Sequence, residues 1–117
     1  MKLDLLSNEN KLIRIQNKGT ITLVDVNGDN PLETLLGTDC FPNKILLNLE
    51  QTNYIDTAAV SWLIHCHKAC EDAGGRFIIH SIPPMVAQML ELLRMNEILR
   101  VAEDETRALA MAQGAQP

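Results

Sequence analysis

A chain of 117 residues, 46% hydrophobic and 21% charged, has the size and composition of one globular domain, which excludes general disorder. Ten basic against fifteen acidic residues leave a net charge of −5, and only four side chains are aromatic. Both features argue against a protein that binds nucleic-acid backbones or stacks bases. No apolar run approaches the ~18 residues of a membrane span. The opening Met1–Ser7 stretch is soon broken by Asn8, Glu9, Asn10 and Lys11, so it does not read as a secretory signal. Cys40, Cys66 and Cys70 cannot all pair within one chain. The balance is that of a small, acidic, cytoplasmic domain without a disulfide framework.

Along the chain, Lys11–Gln16 alternates as a half-buried strand does, Asn17-Lys18-Gly19 is a turn, and Thr20–Val26 is a second β-rich run. The two runs are expected to form a hairpin. A short helix over Leu32–Leu36 follows, with Asn30 or Asp29 as its N-cap, Pro31 in its first turn and Gly37 at its end. Lys44–Leu49 is almost continuously apolar, the pattern of a strand covered on both faces. From Thr57 to about Ala73 the period becomes helical. Ala59, Trp62, Leu63, Cys66, Ala69, Cys70 and Ala73 share one side, while Thr57, Ser61, Lys68 and Asp72 face the other with Ile64 among them. Gly74-Gly75 stops this helix. Arg76–His80 is a strand, Pro83-Pro84 opens a helix with a Val86, Met89, Leu90 and Leu93 stripe, and Ile98–Val101 is a last strand. Glu103–Met111 reads as a terminal helix with acids in its first turn, and 112–117 as a frayed tail. The expected architecture is one α/β domain over 1–117 with its core at about 11–110. An initial hairpin leads into a mostly parallel sheet, with βα crossovers and about four helices.

The central residues carry a resemblance. An apolar strand, then Tyr54-Ile55-Asp56-Thr57-Ala58-Ala59-Val60, a helix, Ala73-Gly74-Gly75-Arg76, a strand and Ile82-Pro83-Pro84-Met85-Val86 follow one another in the order of the STAS domain. The chain resembles the bacterial anti-sigma factor antagonists of that family. In those proteins a short Asp-Ser-Ser/Thr-Gly motif opens the central helix, and the hydroxyl after the Asp is phosphorylated by a partner that is both anti-sigma factor and kinase. A phosphatase resets the switch. The resemblance places the Asp at Asp56 and the phospho-acceptor at Thr57. Ala58 and Ala59 depart from the motif, since the second hydroxyl and the glycine are both absent.

Helix chemistry supports the same position. Asp56 is placed to N-cap the helix, and Thr57 then lies in the first turn, where open amides and the positive dipole end suit a phosphate. A phosphate would add about −1.5 to −2 charges beside Asp56 and Glu50. The partner-binding face expected from this register is Thr57, Ala58, Val60, Ser61, Ile64 and Lys68, with Met85, Leu92 and Met95 as a further apolar edge.

No catalytic residue, cofactor site or metal site is expected. His65 and His67 point about 200° apart on a helix and cannot share an ion. Cys66 and Cys70 lie on the apolar face, Cys40 has no evident base beside it, and Gly74-Gly75 follows a helix rather than opening one. His80 reads as a structural residue at a strand end. The expected function is partner binding switched at Thr57, by a monomer or weak homodimer. The alternative is a STAS scaffold or interaction subunit without a phospho-switch, in a signalling assembly or a lipid-transport complex.

Overall fold

The computed structural model describes residues 1–114. Its first hairpin joins β1 (Lys2–Glu9) to β2 (Leu12–Lys18) through a two-residue turn, Asn10-Lys11, in which both residues are left-handed (φ 53° and 62°). That conformation matches the right-handed strand twist, and asparagine tolerates it better than most residues. A bulge between Leu5 and Ser7 lets β1 end in register with β2.

The sheet has the order β1-β2-β3-β4-β5, with β3 at Lys44–Gln51, β4 at Arg76–His80 and β5 at Arg100–Ala102. Only β1 and β2 are antiparallel; every later pair is parallel. Between β2 and β3 lie two short helices, α1 (Leu23–Val26) and α2 (Pro31–Leu36). Helix α3 (Thr57–Ala73) connects β3 to β4, α4 (Pro84–Leu92) leads through a 3₁₀ turn at Met95–Glu97 to β5, and α5 (Glu105–Ala112) follows.

Alternation along β3 distributes its side chains between two cores. Ile45, Leu47 and Leu49 enter the larger one with Ile13, Ile15, Phe77 and Ile79, where Trp62, Leu63, Cys66 and Cys70 of α3 and Val86 and Leu90 of α4 cover them. Leu46 and Ile78 face the other way, against Ala102 and the Ala108 and Ala112 methyls of α5. A fully buried Leu63 contributes about 1.5–3 kcal/mol relative to an exposed one. The apolar face of α3 therefore fixes which of its residues face solvent.

Three expectations are corrected. Thr20–Val26 is not the second strand of the hairpin: Ile21 alone forms a β-bridge, to Ile55, and Leu23–Val26 winds into α1. The reason is local, since the Thr22 amide donates to Asp25 Oδ2 at 2.8 Å and the Asp25 amide to the Thr22 carbonyl at 2.9 Å. Lys2–Glu9 supplies the hairpin strand instead, so the sheet begins before residue 11. At the other end Ala112 closes α5 and is buried, because the second core needs its methyl. The expected tail beyond it reaches 115–117, which lie outside the described residues.

Candidate docking site at the start of helix α3

Asp56 sits in extended backbone (φ −106°, ψ −177°) just before α3, and its Oδ1 accepts from the Ala59 amide at 2.9 Å. This is the expected N-cap. Its Oδ2 makes a second bond that helix capping alone does not imply: it accepts from the Leu23 amide, the first of α1, also at 2.9 Å. Backbone bonds reinforce the junction, with the Ile21 amide donating to the Tyr54 carbonyl at 3.0 Å and the Asp56 amide to the Ile21 carbonyl at 3.2 Å. One carboxylate and one β-bridge thus hold α1 beside the first turn of α3.

Thr57 is exposed at the first helical position, with Ser61 and Lys68 exposed further along the same strip. Ala58 is half-buried, and so is Ile64, which packs against the larger core. Val60 is a correction: it is only 4% exposed, turned into the core with Ala59 and Leu63, so it is not available as a contact residue. Ala59 is fully buried, so its methyl adds nothing to the surface where the family motif carries glycine. The departure that a partner would meet is Ala58.

The structure adds exposed apolar residues beside this turn. Val24 is 89% exposed and Leu23 56%, and Tyr54 is also exposed. Between α1 and α3 runs a groove of about 480 Å³, lined by Leu23, Val26, Ala58, Ser61, Trp62 and His65 among others. Asn30 braces its floor: Oδ1 accepts from the Leu32 amide at 2.9 Å, capping α2, and from Trp62 Nε1 at 2.8 Å. The signal for α1 was present as the T-x-x-D spacing of Thr22 and Asp25. Met85 and Leu92 are exposed on α4, away from these residues in sequence, and Met95 is half-buried.

Electrostatics set the remaining candidates apart from nucleophilic chemistry. Burial raises the thiol pKa of all three cysteines, that of Cys70 to about 12 and that of Cys66 further. Such thiols remain protonated near neutral pH. His80 is buried on the α5 side of the sheet end, with Nδ1 2.8 Å from Ser81 Oγ, and burial pulls its pKa below the ordinary value. Among the described residues no three His, Cys, Asp or Glu side chains are grouped to hold a metal ion. No described helix is long and apolar enough to cross a membrane.

A mixed five-stranded sheet with this connectivity, and a capped helix that opens on an exposed threonine, define the class. The STAS domain family model matches residues 6–108, and the chain belongs to that family. Similar solved structures share the fold at low identity. Protein tm1081 of Thermotoga maritima is 15% identical with a TM-score of 0.81, over 95% of this chain and 94% of that one. The anti-sigma factor antagonist SpoIIAA of Bacillus, in its unphosphorylated form, is 16% identical with a TM-score of 0.69, over 97% and 99%. A sulfate transporter family protein from Wolinella succinogenes is 18% identical with a TM-score of 0.74, over 91% and 88%. SpoIIAA has also been solved in a phosphorylated form, at 17% identity and a TM-score of 0.66 over 94% and 98%.

Proposed function

We propose that this STAS domain is an anti-sigma factor antagonist-like regulator that binds a kinase-type anti-sigma factor through the α1–α3 surface and is switched by phosphorylation of Thr57. It works in the cytoplasm as a binding protein rather than an enzyme, with a phosphatase restoring the hydroxyl. The observation that carries the reading is an exposed Thr57 at the first position of α3, beside an Asp56 whose two oxygens are already engaged. In the transfer Thr57 Oγ1 bonds to the γ-phosphorus of ATP as the bond to the bridging oxygen breaks. ADP leaves, and the hydroxyl proton passes to a base of the kinase.

The phosphate would lie over the first-turn amides that a helix leaves open. Lys68, the cation on the same strip, is eleven residues on, about 16 Å along the axis at the helical rise. The phosphate charge is therefore not neutralised by that side chain. It would stand among Thr57, Leu23 and Val24, where a partner needs a dry contact, and charge placed in an apolar interface weakens it. Thr57→Glu is expected to reduce partner affinity about tenfold or more, with Thr57→Ala leaving it near wild type. Titration calorimetry against a purified partner reads both. Unchanged affinity for the two variants would remove Thr57 from the switch.

Ala58 favours a second reading. The family motif has a hydroxyl there and this surface has a methyl, which suits a STAS interaction subunit that docks without being modified. In that case capture by a partner persists after every kinase treatment.

A further inference from the structure

Helix α1 is four residues long and has no buried side chain, too short and too exposed to hold its own position. Its ties are few. Val26 is half-buried against the larger core, Asp25 reaches the Met1 ammonium at 3.2 Å, and the Leu23 amide donates to Asp56 Oδ2 at 2.9 Å. The last is the tie at the end nearest Thr57. It also shares a carboxylate with the cap of α3.

We propose that Asp56 is a positioning residue coupling the two helices, so that a phosphate on Thr57 is read as a release of α1 and its exposed Leu23 and Val24. The inference rests on the phosphothreonine switch above and adds where its effect is felt. A phosphate on Thr57 carries about −1.5 to −2 charges one residue from the Asp56 carboxylate, and both anions draw on the amides of the same first turn. The phosphate has three acceptor oxygens and covers that turn; the carboxylate, repelled, leaves it. When it swings away, the Leu23 amide loses its acceptor while the turn it capped keeps one. Ile21 and Ile55, both buried, hold the bridge, so the displacement starts after Ile21 and reaches the wall of the groove at Leu23 and Val26. The docking surface is then altered in shape as well as in charge.

The test needs neither a kinase nor a partner. Phosphothreonine is inserted at position 57 during synthesis, in the wild-type background and with Asp56→Asn, whose single amide oxygen caps Ala59 and leaves no acceptor for Leu23. Amide exchange and chemical shifts are followed by NMR at Leu23 and at Asn27, whose amide donates to the Leu23 carbonyl at 2.8 Å. The phosphate should speed exchange at these amides about five- to tenfold, the scale of one lost hydrogen bond, and leave Leu63 and Cys66 inside α3 unchanged. D56N alone should produce a similar change, and the phosphate should then add little. Unchanged Leu23 and Asn27 amides on phosphorylation, or an equal response in both backgrounds, would overturn the coupling. Asp56→Ser, which keeps one capping oxygen, repeats the comparison should D56N disturb α3. Failure of every kinase to modify Thr57 would sink the switch and leave this measurement readable.

Discussion

Gly74 and Gly75 are adjacent, and substituting each by alanine separates two kinds of cost. Gly74 is left-handed (φ 85°, ψ 8°) at the end of α3, and a Cβ there would meet nothing within 4 Å. Its alanine variant bears only the left-handed strain of an L-residue, about 1–2 kcal/mol. Gly75 has ordinary backbone but no space. A Cβ would run into the carbonyl oxygens of Phe41 and Asn43, with the Pro42 carbonyl carbon 2.9 Å away. All three are backbone atoms, so the loop before β3 must move. Overpacking of this sort costs about 1–3 kcal/mol. The shift also strains the bond from the Arg76 amide to the Asn43 carbonyl, 3.2 Å, worth about 1 kcal/mol more. Gly75→Ala should therefore lose about 2–4 kcal/mol, a large share of a stability on the order of 5–15 kcal/mol. Urea denaturation followed by circular dichroism measures both variants against wild type. Equal losses, or a greater loss for Gly74→Ala, would refute the argument that Gly75 is fixed by close approach.

Acid should weaken the fold through His80. Burial lowers its folded pKa from the ordinary 6.5, so the unfolded chain takes up the proton first. Stability is complete above about pH 6.5 and falls as pH drops through that value toward the folded pKa. Asp104, Glu105 and Glu50 moderate the loss and Arg14 adds to it. His80→Asn should flatten the slope of urea stability between pH 7.5 and 5.5, and an unchanged slope would place its origin elsewhere. The buried thiols should be inert in the native protein at pH 8 and all three should titrate with a thiol reagent in denaturant; stoichiometric native labelling would contradict their placement. Asp104→Ala removes the acceptor of the Arg107 amide at the start of α5 and should cost about 1 kcal/mol, which thermal melts detect.

Strong periodicity made α3 legible from Thr57 to Ala73, and continuous hydrophobicity made β3 legible as a strand with two covered faces. The N-terminal third was harder. Thr20–Val26 is rich in β-branched residues, but propensity yields there to a capping interaction three residues long and to the tether on Asp56. Lys2–Glu9 mixes charged and apolar residues with a bulge, so its alternation is broken at the point where a strand would be recognised. At the site, Asp56 and Thr57 followed from helix-capping chemistry joined to the resemblance. Val60 did not, because it lies at the margin of the apolar stripe and the sequence does not record how far neighbouring side chains wrap the helix. Leu23 and its neighbour Val24 became visible only through a bond across 33 residues that ties the Leu23 amide to Asp56.

The central claim is tested most directly by intact-mass analysis and phosphosite mapping. The protein is incubated with ATP and the kinase-type anti-sigma factors of its source organism, and capture by each is measured in parallel. The account predicts one added phosphate, on Thr57, and weaker capture of the modified protein than of the unmodified one. A partner that binds equally well before and after modification, or a phosphate on any other residue, would contradict it.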